Sequence, residues 1–403
     1  MVITRKDIAT LTDQELTQYK QVIEKMYKNG WMEWFSDIHN RHNTKIHNNS
    51  MFLPFHRRMT RDFEIVAQQN YDPNFAIPYW DASKDFANPQ NSLVLTDKYI
   101  GGDGGASSSG GGGGGGCIAN GFQKSWSFKY PNPHCLVRKF NGKTPGSIEP
   151  WPSPEIMESV LQRFNRLSDF DPNIQFTIHG SVHLGLGGDM TQTWAPNDAA
   201  FFLLHAYVDK LWWRWQSKYG NLWQIDGPGP NGITNLSADD LLINYEGETI
   251  RSVLELGYGK MCYQYDSDGI QKTSTATAGP FIGVNRNVVG FGGEGDVAPG
   301  LKASNLSGED LKRFFPKSVN NSSSIGGGNT NNAKRSSNLQ KRNNSFMKRK
   351  YQTDSPLIPI PPPLPDSWIN MMKYKKELVQ KVYKEMVELI EILNKSDYIS
   401  PYF

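Results

Sequence analysis

Histidine is sparse in this chain, and its placement is the strongest constraint on what the chain can fold into. Eight histidines occur among 403 residues, and six of them form two sets of three. In the second set, His179 and His183 are four residues apart and share one face of a predicted helix. His205 lies on the next predicted helix, Ala199–Tyr219, on the inward stripe that also carries Phe201. Two packed helices can therefore direct three imidazoles at one point.

The first set is His39, His47 and His56, and His42 is an alternative to His39. His39 is predicted at the end of an aromatic-rich helix that begins near Trp31. His47 falls in the connecting segment, and His56 heads a third helix with an apolar inward face. Because this set can also converge inside the same apolar bundle, the sequence predicts two three-histidine sites.

Six neutral imidazoles without a neighbouring carboxylate or thiolate favour copper as the bound metal. Di-iron sites in helical bundles use glutamates, and structural zinc usually takes cysteine. One three-histidine set alone would also suit catalytic zinc with an open fourth position. The pairing of two sets favours a dinuclear centre with two copper ions.

Long motifs surround both sets of histidines. Five segments carry the motifs: Ile38-His39-Asn40 and His47 to Arg57 for the first set, His179 to Met190 and Pro196 to Trp212 for the second, and Cys262-Tyr263-Gln264-Tyr265. Through these segments the chain resembles the tyrosinase family of type-3 copper proteins over roughly residues 3–266. Residues 354–394 are similar to the C-terminal extension of fungal-type members.

The resemblance implies a mainly α fold, with a central four-helix bundle holding a dinuclear copper site, long loops, few short strands and a C-terminal extension. It also implies a copper oxidoreductase, a catechol oxidase or tyrosinase, that uses O2 to oxidise o-diphenols to o-quinones and in some members hydroxylates monophenols. The expected partners are a small phenolic substrate and O2. The alternative is a haemocyanin-like oxygen-binding protein.

Residues next to the ligands are predicted to shape substrate access. Gly180 and Leu184 each follow a predicted ligand and form the rim of the site. Family members active on monophenols often carry Asn at the position of Gly180, together with a nearby acid. The matching acid here is Asp171 or Asp169. We therefore expect catechol oxidation to dominate over hydroxylation.

Two residues on the predicted helix Ala199–Tyr219 flank the ligand His205. Phe201, one turn before it, is predicted to pack on an imidazole. Asp209, one turn after it, is predicted to accept the second N–H of a ligand histidine, because metal-bound imidazoles usually donate that proton to a protein acceptor.

Composition divides the chain into four predicted parts. These are a catalytic copper domain at 1–266 with a Gly/Ser-rich loop at 101–116, a loop-rich extension at 267–317, a disordered basic linker at 318–353, and a Pro-rich segment with an amphipathic helix at 354–403. The apolar face of the last helix must be covered. We hypothesise that this tail docks on the catalytic domain and limits substrate access, and the alternative is that it pairs with a second copy of the chain.

Charge and hydropathy argue against two classes of partner. Lys and Arg total 43 and Asp and Glu 40, and the excess lies in the linker, so no nucleic-acid binding is expected. No apolar run approaches the ~18 residues of a membrane span. The N-terminus lacks an apolar signal core, which favours a cytoplasmic location. If the protein is exported, Cys117 and Cys135 are predicted to pair and Cys262 to stay outside the bond.

Overall fold

The computed structural model describes residues 2–105, 116–266, 306–320 and 356–403. Most of the predicted Gly/Ser-rich loop, residues 267–305 of the predicted extension and residues 321–353 of the predicted linker lie outside the described residues. The predictions for those segments are therefore not addressed by the structure.

Within the described ranges the chain is mainly helical. The α-helices are α1 Asp13–Lys28, α2 Trp31–Ile46, α3 Phe52–Asn70, α4 Pro154–Arg163, α5 Leu167–Ile174, α6 Gly180–Leu186, α7 Ala199–Tyr219, α8 Gly308–Phe314, α9 Pro316–Asn320, α10 Asp366–Met371 and α11 Lys376–Lys395. A π-helical turn, Gln175–His179, joins α5 to α6. Short 3-10 turns lie at Ile8–Thr10, Ala82–Asp85, Pro89–Asn91, Leu93–Leu95, Gly188–Thr191, Ala195–Asn197, Pro230–Gly232, Ile250–Val253 and Gly259–Met261. None of the helices in these ranges has the length and apolar character that crossing a membrane requires.

Among the residues that the structure describes, four short strands form two small sheets. β1 Ile3–Arg5 pairs in parallel with β4 Tyr263–Tyr265, so the two ends of the catalytic region meet. β2 Ser127–Phe128 pairs antiparallel with β3 His134–Cys135. Next to the second sheet Cys117 and Cys135 form a disulfide that does not include Cys262, as predicted for an exported protein.

Local sequence signals set the ends of α1 and α7. Thr12 and Glu15 form a capping box in which each side chain accepts from the other residue's backbone N–H. Asp198 caps α7 by accepting from the backbone N–H of Ala200 at 2.9 Å. Gly220 ends α7 with a φ of +75°, a conformation that glycine adopts without a steric penalty. The predicted bounds of α7 are therefore the observed ones.

Other predicted boundaries were wrong. α2 does not end near Asn40 but continues to Ile46, because Asn43 and Ile46 are buried on its inner face. The predicted loop-rich extension contains α8 and the start of α9 in its described part. The amphipathic tail helix, predicted from about Met371 to Asn394, is α11 and begins later, at Lys376, because the chain turns at Lys373 with a φ of +53°.

Aromatic packing joins α2, α3 and α7 of the catalytic region. Phe63 of α3 stacks on Phe202 of α7 with ring centroids 3.8 Å apart. Phe35 of α2 contacts both rings, at 5.2 and 5.8 Å. All three side chains are at most 1% exposed, so they form the centre of the bundle that positions the histidines.

A buried charge network lies beside this bundle. The Asp209 carboxylate of α7 receives hydrogen bonds from Arg57, Arg5, Tyr263 and Tyr265. Burial by itself would raise the pKa of Asp209, but the two guanidiniums hold it below its ordinary value. The network therefore links β1, α3, α7 and β4 through one carboxylate.

We expect Asp209→Asn to lower the free energy of unfolding by about 3–5 kcal/mol, because it leaves the buried Arg57 without its counter-charge, whereas Arg5 keeps its pair with Glu64. Since the folded pKa of Asp209 is depressed, the carboxylate's contribution is complete at neutral pH and is lost as pH falls below about 4. Urea unfolding at pH 7 and pH 3 measures both effects. Asp239→Asn, which breaks an exposed pair with Arg251, is the control and should cost under about 1 kcal/mol. Equal losses in both variants would contradict the prediction.

Candidate metal centre

The first group of histidines comes from α2, α3 and the segment between them. His39, His47 and His56 place their rings 5.0–5.5 Å apart by centroid. One ligand nitrogen from each lies within 4.8 Å of the other two. His42 is not in this group, and its Nε2 instead lies 3.3 Å from the side-chain oxygen of Asn244. The structure therefore brings together the three residues predicted from the sequence.

The second group is also assembled as predicted, although the backbone differs. His179, His183 and His205 have ring centroids 4.5–5.6 Å apart, and their ligand nitrogens lie within 4.8 Å of one another. The sequence predicts a regular helix through the first two, whereas His179 ends the π-helical turn. Thr177 inside that turn has φ −106° and ψ −106°, outside the helical region. Turns of this kind often occur at functional sites.

The two groups face each other directly. His56 stacks on His205 with centroids 4.6 Å apart, where α3 packs against α7. His47 lies 6.0 Å from His179 on the other side. All six side chains are at most 3% exposed, so they form one buried constellation.

Each imidazole contacts the protein backbone through its Nδ1 atom, and its Nε2 atom is the one available to the centre of its group. The Nδ1 atoms contact backbone carbonyls: His39 with Thr193, His47 with Asn43, His56 with Phe52, His179 with Gln175, His183 with Met190 and His205 with Phe201. Five of the six Nε2 atoms are buried and have no hydrogen-bond partner, those of His39, His56, His179, His183 and His205. Buried polar atoms without a partner are rare, and here they mark a place for a metal ligand bond.

Electrostatics keep these imidazoles neutral. Burial lowers the pKa of His39 and of His183 to about 4, and it lowers the pKa values of the other four well below the ordinary value. Neutral imidazole is the form that binds copper. The donor set therefore fits two copper ions, one for each group, and the assignment of individual ligands stays a prediction.

Of the two predictions about the neighbours of His205, the one for Phe201 is confirmed and the one for Asp209 is wrong. Phe201 stacks on the His205 ring with centroids 3.9 Å apart, as predicted. The prediction that Asp209 accepts an N–H from a ligand was wrong, because His205 Nδ1 contacts the carbonyl of Phe201 at 2.8 Å. Asp209 is bound by the cations of the network described above, which arrive from β1 and α3.

The predicted acid Asp171 is 1% exposed, and its carboxylate accepts from Gln175 Nε2 at 2.9 Å. Gln175 also accepts a backbone N–H from Asn48, the residue after the predicted ligand His47. Sequence reasoning missed Gln175. The available signal was its position one helical turn before His179, which places it on the ligand face.

The rim residues are covered by the C-terminal tail. A Cβ at Gly180 would lie 3.1 Å from a methyl group of Leu364. The indole of Trp368 lies 5.9 Å from the ring of His183. Leu184 packs against the same apolar cluster, here called the plug cluster, whose buried members are Phe176, Leu364, Trp368, Ile369, Met372, Tyr374, Val379 and Val382. The tail helix is therefore docked on its own chain, as hypothesised from the sequence.

The second half of α11 anchors this tail. Its buried side chains belong to the main core of the catalytic helices: Met386, Leu389, Ile390 and Leu393, each at most 6% exposed. Arg163 of α4 pairs with Glu385 at 2.5 Å, and Arg313 of α8 pairs with Glu388. The plug cluster is a separate apolar cluster, so the anchor and the cover over the histidines are distinct parts of one tail.

The sequence of this chain is similar to those of known proteins over the region that holds both histidine groups. Residues 23–218 match the common central domain of tyrosinase. The tyrosinase-like protein phomQ2 of Diaporthe leptostromiformis is 32% identical over 246 residues, which span 57% of this chain and 62% of that protein, less than two thirds of its length. The tyrosinase of Streptomyces antibioticus is 29% identical over 254 residues, 58% of this chain and 90% of that protein.

A solved structure shows the same fold. A variant of the polyphenol oxidase from Thermothelomyces thermophila aligns with a TM-score of 0.51 and 18% identity, over 66% of this chain and 89% of that one. All six histidines of the two groups fall inside the matched domain. With this domain match, these relatives and its two histidine groups, the chain carries the common central domain of the tyrosinase family, whose members are type-3 copper proteins that bind two copper ions.

Proposed function

We propose that this protein is a phenol oxidase that uses O2 to oxidise o-diphenols to o-quinones. The observation that carries the proposal is the pair of facing, fully buried three-histidine groups with unpartnered Nε2 atoms. In this reaction two catechols lose four electrons and four protons in total, and one O2 takes them up to give two waters. A site for two metal ions is suited to transferring electrons in pairs.

When bound, the copper pair supplies the redox chemistry with O2, and the protein supplies orientation and exclusion of water. The backbone carbonyls fix the ring orientation of all six imidazoles through Nδ1. Phe201 packs on His205 and contacts His39 and His183, which keeps the inner side of the centre apolar. The side for substrate is the one that Gly180 and Leu184 border, which the plug cluster covers in this structure.

We also propose that oxidation of diphenols dominates over hydroxylation of monophenols. Gly180 offers no side chain that could hold a water near the centre. Burial raises the pKa of Asp171 well above that of an ordinary carboxyl group, because the apolar surroundings disfavour the charged form that would accept a proton. Both features support a site that accepts a catechol more readily than a phenol.

The test is a paired assay of the copper-loaded protein on a 4-alkylcatechol and the matching 4-alkylphenol. We expect quinone formation from the catechol with one O2 consumed for every two quinones. The monophenol should react about 100-fold more slowly, the usual contribution of a positioned general base. Because the tail covers the rim, the assay is run on the full chain and on the double variant Leu364→Ala and Trp368→Ala, which opens the plug cluster.

Two results would contradict the proposal. Reversible O2 binding with two coppers and no quinone from either substrate would favour a haemocyanin-like oxygen-binding protein. Equal rates on the two substrates would keep the oxidase function but overturn the preference for diphenols. Apo-protein serves as the control for oxidation without bound metal.

A further inference from the structure

Two of the six histidines lie outside regular α-helix. His47 is in the segment between α2 and α3, and the next residue, Asn48, has a φ of +59°. His179 ends the π-helical turn. The other four histidines are held by α2, α3, α6 and α7. His47 and His179 are also the pair that faces across the two groups at 6.0 Å, so the separation of the groups on this side depends on two irregular segments.

Gln175 contacts both irregular segments. Its side-chain Oε1 accepts the backbone N–H of Asn48 at 3.0 Å, directly after His47. Its backbone oxygen accepts from Nδ1 of His179 at 3.3 Å. The side chain is 1% exposed. One residue therefore connects a ligand of the first group to a ligand of the second.

Asp171 fixes the orientation of the Gln175 amide. A glutamine amide can bind in either of two flipped orientations, and only one directs its oxygen at the N–H of Asn48. The carboxyl group of Asp171 binds the amide nitrogen at 2.9 Å and so selects that orientation. Asp171 is itself 1% exposed, so no solvent competes for this contact with the amide.

We infer that Gln175 is a positioning residue that sets the separation of the two copper-binding groups by holding the backbone at His47 and His179 in register. The inference rests on the copper assignment of the proposed function but not on the identity of its substrate. On the opposite side the separation needs no such link, because His56 and His205 lie on helices that pack directly.

The test replaces the amide with a side chain of similar size and no hydrogen-bonding groups, Gln175→Met. We expect the second copper equivalent to bind about 10- to 100-fold more weakly, the usual effect of losing a partner behind a metal ligand. Two cupric ions held close enough to couple give little EPR signal, so the EPR-detectable share of bound copper should rise. In the apo-protein, the amide proton of Asn48 should exchange faster with solvent.

Two further variants separate positioning from general stability. Gln175→Glu keeps an oxygen for the N–H of Asn48, and two buried carboxyl groups in contact can share one proton, so the link to Asp171 is kept and this variant should bind copper as the wild type does. Gln162→Met makes the same change at a glutamine that is 3% exposed on α4 and bonded to Ser318 and Glu158, and it should leave both readouts unchanged.

The inference is overturned if Gln175→Met matches the wild type in second-copper affinity and EPR signal, or if Gln162→Met loses as much. Neither readout uses substrate turnover. A wild-type protein that binds two coppers and oxidises no catechol would therefore contradict the proposed function, and the copper comparison between variants would still support or overturn the role of Gln175.

Discussion

His39→Ala will reduce bound copper from two ions to about one per chain and lower catechol oxidation to background, whereas His42→Ala will leave both unchanged. The two residues lie three positions apart on α2 and differ in what they face. His39 has a buried Nε2 without a hydrogen-bond partner, which is directed into the first group. His42 lies outside that group beside Asn244.

The physical reason is the number of donors. A copper ion held by three imidazoles loses one of its three protein ligands in His39→Ala, and the two that remain, His47 and His56, cannot replace it from their fixed rotamers. The pair of variants is well matched, since each removes one imidazole from the same helix. Metal analysis after copper loading and gel filtration gives the stoichiometry, and quinone absorbance gives the activity.

The opposite pattern, with one copper lost in His42→Ala and both retained in His39→Ala, would show that the first group is assembled differently in solution. A thermal melt of each apo-variant checks that neither change unfolds the chain. Because burial keeps His39 neutral, its loss removes a ligand without removing a charge from the folded apo-protein.

The second large effect is expected on catechol turnover when the plug cluster is opened. We expect the double variant Leu364→Ala and Trp368→Ala to raise kcat/KM for a catechol at least about tenfold without changing copper content. These side chains rest on Gly180 and beside His183, so we expect them to hinder the approach of a substrate from this side. Truncating a buried Leu or Trp typically costs about 2–5 kcal/mol, and even a fraction of that shifts a closed–open equilibrium tenfold.

Leu357→Ala is the matched control, because Leu357 belongs to the same tail but is 66% exposed. It should leave turnover unchanged. If the double variant also behaves as the wild type, the docked tail does not limit access. Native mass should be the same in all three proteins, and a mass that halves in the double variant would show instead that the tail holds two chains together.

Removing the tail altogether is a less specific test than the plug variant. A chain ending at Ser318 would raise turnover if the tail only covers the rim. The structure shows that it would also expose the core face now covered by Leu389, Ile390 and Leu393. We therefore expect such a truncation to lower the melting temperature as well, which the double variant in the plug avoids.

The sequence by itself determined the features that follow from local spacing. The four-residue interval of His179 and His183, the inward stripe of α7 and the capping signals at Thr12 and Asp198 are properties of neighbouring residues in a helix. Helix geometry converts such intervals into shared faces without reference to the rest of the chain. The helix Ala199–Tyr219 and the convergence of His179, His183 and His205 were predictable on that basis.

Only the tertiary structure decided features that depend on which distant segments meet. Asp209 is four residues after His205, a spacing that suggests contact, but Arg5 arrives from a position 204 residues earlier in the chain and binds the carboxylate. The link from Gln175 to Asn48 joins residues 127 apart, and Leu364 reaches Gly180 from the far end of the chain. Such contacts are set by packing and by the need to pair buried charges and polar groups, which no local pattern encodes.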